Sequence, residues 1–244
     1  MGLIMRWWTM FLMLFAAPFG VAETVMVEGR ITPIPPITQS VTAVHLKAIG
    51  ADRVYAQHFP EALIDLNLSA NNLMLLPEGF IPQGIRRLWL ADNRLLSLPQ
   101  DASQWRNLSY LNLDRNLINA LPDLSATSLR WLRCNGNHLT QMPPLPDSVE
   151  RLYLADNRLR EAPAKPKALR HLTLANNPLE RVPDTLGCGL EELDLSGTKV
   201  SQLPADLTGW RTLRVLNLAH CPLSHEEKDR LEAFFDPLKT LLIF

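Results

Sequence analysis

The chain has 244 residues, 47% of them hydrophobic, with 24 basic side chains against 25 acidic ones. A formal charge of −1 removes the bulk attraction on which nucleic-acid binders depend, so no nucleic acid is expected as a partner. The length allows one continuous core or two short domains.

The first segment is set apart by its apolarity. Met1 to Arg6 carries one basic side chain besides the amine, Trp7 to Ala17 is almost continuously apolar, and Gly20-Val21-Ala22 supplies small residues. This pattern predicts a secretory signal peptide over 1–22, cleaved after Ala22. The apolar run is shorter than the roughly 20 residues that span a bilayer, and no cysteine follows it to carry a lipid. The expected product has no stable membrane anchor after cleavage and is secreted or periplasmic.

Residues 23–62 read as a proline-rich segment and an N-terminal cap. Thr32 to Gln39 (TPIPPITQ) is expected to be extended. Val41, Val44, Leu46, Ala51 and Val54 fit a degenerate repeat one step before the first clear one, with an amphipathic helix as the competing reading.

From Leu63 to Leu223 one phrase recurs, L-x-x-L-x-L-x-x-N-x-L-x-x-L-P. Its eight copies begin at Leu63, Ile85, Leu108, Leu129, Val149, Leu169, Leu190 and Leu213, in steps of 20 to 23 residues. A fixed period of this size specifies a leucine-rich-repeat solenoid, a horseshoe with a concave parallel β-sheet. The L-x-L core alternates with period two and reads as a short strand whose leucines point inward. The steps are too short to hold a three-turn helix of roughly 11 residues with its connections. The convex side is therefore expected to be extended, with short 3₁₀ turns. Pro77, Pro99, Pro122, Pro143, Pro163, Pro183 and Pro204 follow the last apolar residue of their repeats, where a fixed φ and a missing donor suit a corner. Asn71, Asn93, Asn116, Asn137, Asn157 and Asn177 recur at one position, and Thr198 and Cys221 replace them in the last two repeats. An amide has two donors and an acceptor, so a stacked asparagine can serve backbone groups of the coils above and below.

Residues 224–244 depart from the phrase. Ser224-His225-Glu226-Glu227 is a capping box, Leu231, Phe234 and Phe235 form an apolar stripe, and Pro237 ends the helix. The apolar tail, Leu238 to Phe244, is expected to tuck against this capping helix. The three cysteines read as free thiols, with Cys134 and Cys221 buried. Cys134 and Cys221 lie four repeats apart, roughly 19 Å at the spacing of parallel strands, far beyond the about 7 Å a disulfide can bridge.

The register exposes one column per strand on each side of the central inner leucine. The first runs Asp65, Arg87, Tyr110, Trp131, Arg151, His171, Glu192, Val215, and the second Asn67, Trp89, Asn112, Arg133, Tyr153, Thr173, Asp194, Asn217. The candidate partner-binding residues are Arg87, Trp89, Tyr110, Trp131, Arg133, Arg151, Tyr153 and His171. Trp, Tyr and Arg are the residue types enriched in binding hot spots, and rigid strands lower the cost of ordering them. Trp105 and Trp210 precede strands in the two 23-residue repeats and read as convex packing. No Ser/His/Asp set shares a register and no glycine-rich phosphate loop exists, so no enzyme, cofactor or metal site is expected.

The stretch Met142-Pro143-Pro144-Leu145-Pro146-Asp147-Ser148-Val149-Glu150-Arg151-Leu152-Tyr153-Leu154-Ala155-Asp156-Asn157-Arg158-Leu159 resembles the short bacterial leucine-rich repeat of enteric-pathogen effectors, including the secreted ubiquitin-ligase group. That resemblance covers about Leu63 to Leu223 and implies a curved solenoid whose concave face recognises proteins. The ligases carry a Cys-x-Asp nucleophile, whereas the cysteines here are followed by Asn135-Gly136, Gly189-Leu190 and Pro222-Leu223. The expectation is an exported bacterial binding module for a protein partner. The alternative is a carbohydrate or cell-envelope polymer bound through the same face.

Overall fold

The computed structural model describes residues 12–15, 23–27, 37, 41–55, 59–77 and 79–244. The cleavage point after Ala22 and, apart from Ile37, the proline-rich stretch lie outside these residues. The strands are β1 (Leu12–Phe15), β2 (Glu23–Val27), β3 (Val41–His45), β4 (Asp65–Asn67), β5 (Arg87–Trp89), β6 (Tyr110–Asn112), β7 (Trp131–Arg133), β8 (Arg151–Tyr153), β9 (His171–Thr173), β10 (Glu192–Asp194), β11 (Val215–Asn217) and β12 (Leu241–Ile243). They form one sheet in chain order. β1 pairs antiparallel with β2, and every later pairing is parallel. β3 pairs with β4 so that Val44 faces Leu66, in the register of a further coil.

Each L-x-L core makes a three-residue strand because its central leucine has somewhere to go. Leu66, Leu88, Leu111, Leu132, Leu152 and Leu216 have no exposed surface. Their columns form one continuous core with the leucines of the extended convex segments. The convex side is extended, as the short period requires, with 3₁₀ turns at Ser103–Trp105 and Thr208–Trp210. Both turns fall in the 23-residue repeats, and they bury Trp105 and Trp210. Trp210 Nε1 donates to the Asp184 carbonyl at 2.8 Å.

The asparagine ladder spans two coils, but not the pair the amide's symmetry suggested. Asn137 Nδ2 donates to its own coil at Cys134 O (3.2 Å) and to the preceding coil at Leu113 O (3.0 Å). Its Oδ1 accepts Ile118 N–H, again from the preceding coil, at 3.1 Å. Asn71, Asn93, Asn116, Asn157 and Asn177 repeat the pattern. Both ends of each amide therefore reach backward, and nothing of it serves the following coil. Thr198 Oγ1 donates to its own coil at Leu195 O, 2.7 Å. Cys221 Sγ donates to that carbonyl from one coil further on, 3.1 Å. All three cysteines are free. Cys221 is half-buried rather than buried, because it sits where the last coil meets the cap. Cys134 is buried, and burial pushes its thiol well above the ordinary value, with Asp114 adding to the shift.

The residue before each ladder position sits in the left-handed region: Ala70, Asp92, Arg115, Asp156, Asn176 and His220 have φ of 55° to 61°, and Gly136 and Gly197 have 64° and 67°. Except at His220, in the last repeat, their backbone N–H groups are held by the next coil, as in Ala70 N–H to Ala91 O at 2.8 Å, which forces the bend whatever the side chain. Ala70→Gly is therefore expected to raise stability by up to about 1 kcal/mol, the strain of an L-residue there, seen as a higher thermal midpoint. Gly197→Ala should lower it, since a Cβ would stand 2.2 Å from Asn176 Oδ1. An unchanged midpoint in both would show that the bend carries no strain.

The C-terminal end differs from the expectation in two respects. The helix α1 (His225–Phe234) starts at Ser224, whose side chain accepts Glu227 N–H at 3.1 Å. Glu227 does not return the bond to Ser224. Its Oε1 accepts Leu203 N–H at 2.8 Å, and both its oxygens hold Arg230. A free donor on the seventh coil outcompetes a local one. The tail does not fold onto the helix as a unit. Leu241–Ile243 adds β12 beside β11, with Val215 opposite Leu241 and Asn217 opposite Ile243. Thr240 anchors it through Oγ1 to Leu213 O at 2.6 Å.

Candidate functional site on the concave face

All eight candidate residues occupy the outward positions of β5 to β9, because each strand buries only its central leucine. Parallel in-register pairing brings Arg87, Tyr110, Trp131, Arg151 and His171 into one line and places Trp89, Arg133 and Tyr153 in the next. Five of them interlock, and Arg133 and Tyr153 form a separate pair. The Trp89 and Tyr110 ring centroids are 5.2 Å apart and those of Tyr110 and Trp131 are 5.8 Å apart, tilted by 42° and 47°. Arginines cover the rings, with Arg87 over Trp89 at 5.9 Å, Arg151 over Trp131 at 4.9 Å and Arg133 over Tyr153 at 5.0 Å. Stacked, solvent-facing cation–π pairs of this kind contribute roughly 0.5–1 kcal/mol each. His171 stands apart from the rings, with Nδ1 3.1 Å from Glu192 Oε2.

Two of the arginines are neutralised on the face itself. Asp65 takes Arg87 through both carboxylate oxygens, one of them at 2.6 Å from Nε, which raises the guanidinium's pKa further. Asp114 Oδ2 accepts Arg133 Nε at 2.7 Å, while its Oδ1 holds Asn135 N–H. Arg151 has the Trp131 ring and, among the described residues, no ion pair.

The register alone left His45 unassigned. It is the last residue of β3, opposite Asn67, and extends the ring ladder, 6.1 Å from Trp89 across the β4 strand. Burial lowers its imidazole below the ordinary value, with Asp65 opposing and Arg87 reinforcing. The signal was available in Val44-His45, an inward–outward pair in the degenerate repeat. The second column also contains residues that look free but are not. The Oδ1 atoms of Asn67, Asn112, Asp194 and Asn217 accept the N–H two residues on, at 2.9 to 3.1 Å, and so shape the turn leaving each strand. Among the described residues no group of three His, Cys, Asp or Glu is placed to hold a metal.

Parallel coils, a buried asparagine ladder and extended convex segments define a leucine-rich-repeat solenoid. Its structure is similar to that of a leucine-rich-repeat protein from Leptospira interrogans, with a TM-score of 0.66 and 25% identity over 84% of this chain and 61% of that one. YopM from Yersinia enterocolitica gives 0.67 and 29% over 79% of this chain and 40% of that one. Among curated proteins, fibromodulin from Bos taurus is 33% identical over 103 residues, 39% of this chain and 27% of that protein. The chain thus spans about a quarter of the length of that relative. No family model matches the chain. The bacterial structures bear out the resemblance drawn from the repeat sequence, and no ubiquitin-ligase domain is indicated. No helix among the described residues is long and apolar enough to cross a membrane.

Proposed function

We propose that this chain is an exported binding module that recognises a protein partner through the concave face, with Arg87, Trp89, Tyr110, Trp131, Arg133, Arg151, Tyr153 and His171 as its contact residues and His45 at the edge. The observation that carries this reading is the interlocked ladder of rings and guanidinium groups on rigid strands. Its side chains are already held in place, so little rotamer entropy remains to be lost on association. Trp, Tyr and Arg at the centre of such a patch are the residue types whose truncation costs most. Export follows the signal-peptide pattern of residues 1–22, with the mature chain beginning at Glu23.

The test is affinity capture with the chain starting at Glu23. Trp131→Ala combined with Tyr153→Ala should abolish capture of the partner while leaving the thermal midpoint nearly unchanged, because both rings lie outside the core. Capture retained by the folded double variant would overturn the assignment. Binding of the parent chain on a glycan array, lost in the double variant and with no protein captured, would move the same face to the carbohydrate alternative.

A further inference from the structure

Beyond the rings, the concave face changes character. Between β8 and β12 lies a hollow of about 300 Å³, walled by Tyr153 and His171 on one side and by Val215 and Ile243 on the other, with Glu192 and Asp194 between them. No lysine or arginine lines it. The carboxylates there are not satisfied in the way those of Asp65 and Asp114 are. His171 Nδ1 comes within 3.1 Å of Glu192 Oε2 but makes no aligned hydrogen bond, and that nitrogen is buried with no partner. Asp194 gives one oxygen to Ser196 N–H and, among the described residues, its carboxylate meets no cation. Two strands away, Arg151 is the cation of this face without a carboxylate.

Among the described residues of the face, Arg151 on β8 therefore has no carboxylate, and Glu192 and Asp194 on β10 have no lysine or arginine. We infer that the partner lays an extended segment across the strands, placing a lysine or arginine side chain in the hollow and a carboxylate on Arg151. This rests on the reading of the concave face as the recognition surface and names the chemistry of what it recognises. Two strand spacings are roughly 10 Å, about three residues of a polyproline II segment, whose three-fold repeat puts side chains i and i+3 on one face, so the acidic and basic residues of the partner are three positions apart. The Tyr153 ring and the apolar end at Val215 and Ile243 suit the methylene stem of a long basic side chain, whose charged head reaches the carboxylates. Matching charge in this way fixes register and disfavours wrong partners more than it adds affinity.

The probe is acetyl-Ala-Glu-Ala-Ala-Lys-Ala-amide, titrated into the ¹⁵N-labelled chain from Glu23 and followed by amide shifts. Control peptides replace Glu or Lys by Gln. Saturable shifts are expected on β8 to β11. The affinity should fall about five-fold when either charge of the peptide is removed, the scale of one exposed ion pair. Glu192→Gln with Asp194→Asn should cause the same loss for the probe and none for the peptide lacking Lys. Arg151→Gln should act likewise on the Glu side. Asp194→Asn keeps the turn, since Asn67, Asn112 and Asn217 already accept the same N–H at this position. Equal affinities for the three peptides, or no saturable shift up to the solubility limit, would overturn the inference. The capture experiment leaves Glu192 and Asp194 intact, so loss of capture in the aromatic variant together with a flat peptide titration removes this inference alone.

Discussion

Replacing Asn137 with alanine is expected to lower the unfolding free energy by about 4 kcal/mol. The amide is buried and holds Leu113 O, Cys134 O and Ile118 N–H at 3.0 to 3.2 Å. Removing it orphans Ile118 N–H, which costs about 1–3 kcal/mol, and takes one of two bonds, about 1 kcal/mol each, from Leu113 O, which keeps Asn116 Nδ2, and from Cys134 O, which keeps Asn157 Nδ2, less whatever an admitted water recovers. In a solenoid each coil touches only its neighbours, so the loss falls at one seam in the middle of the stack. Asn137→Thr should recover part of it. Thr198 shows that a hydroxyl in this slot reaches its own coil's carbonyl at 2.7 Å; it cannot reach the preceding coil's carbonyl and N–H as the amide does. Urea unfolding of the three proteins gives the ranking Asn above Thr above Ala. A difference below about 1 kcal/mol between Asn and Ala, the size of one ordinary hydrogen bond, would mean that water fills the ladder and that the side chain is replaceable.

The parts of this structure that were legible beforehand are those set by periodic burial. A leucine every second position, a proline at each corner and a short step leave one solution, and Leu88, Leu111 and Leu132 occupy it without exposed surface. The outward columns followed from the same alternation, which is why Trp89, Tyr110 and Trp131 were found in line. The features that escaped depend on partners supplied by another coil. The left-handed position holds Ala70, Asp92 and Arg115 as readily as Gly136, because the neighbouring coil's carbonyl imposes the bend and no residue type marks it. Whether an arginine is free or neutralised is also a tertiary matter. Arg133 and Arg151 look alike in sequence, yet Asp114, two residues past Asn112 of β6, reaches only the first. The local spacing pairs Glu227 with Ser224, and the seventh coil offers it a better donor in Leu203 N–H.

That diverted glutamate gives the C-terminal cap its own pH dependence. Burial alone would raise the Glu227 pKa, but Arg230 and Leu203 N–H outweigh it and hold the carboxyl below its ordinary value. A carboxylate whose folded pKa is depressed contributes stability that is fully present above the unfolded value of about 4.3 and is lost as the pH falls through the folded one. Glu227→Gln keeps an acceptor for Leu203 N–H but cannot titrate. The variant should therefore be less stable than the parent at neutral pH, and the two should converge on acidification. Glu227→Ala goes further. It leaves Leu203 N–H without its acceptor and Arg230 without its carboxylate, although Arg230 still donates to Leu203 O and Pro204 O at 3.2 Å. The expected loss is about 3 kcal/mol, the scale of a buried pair broken from one side. It should appear first in the end of the stack. Amide exchange in α1, β11 and β12 should speed up before exchange in β5 to β8, because a solenoid opens from an uncovered end. Uniform acceleration along all coils would show that the cap and the central repeats unfold as one unit and that Glu227 does not seal the last coil.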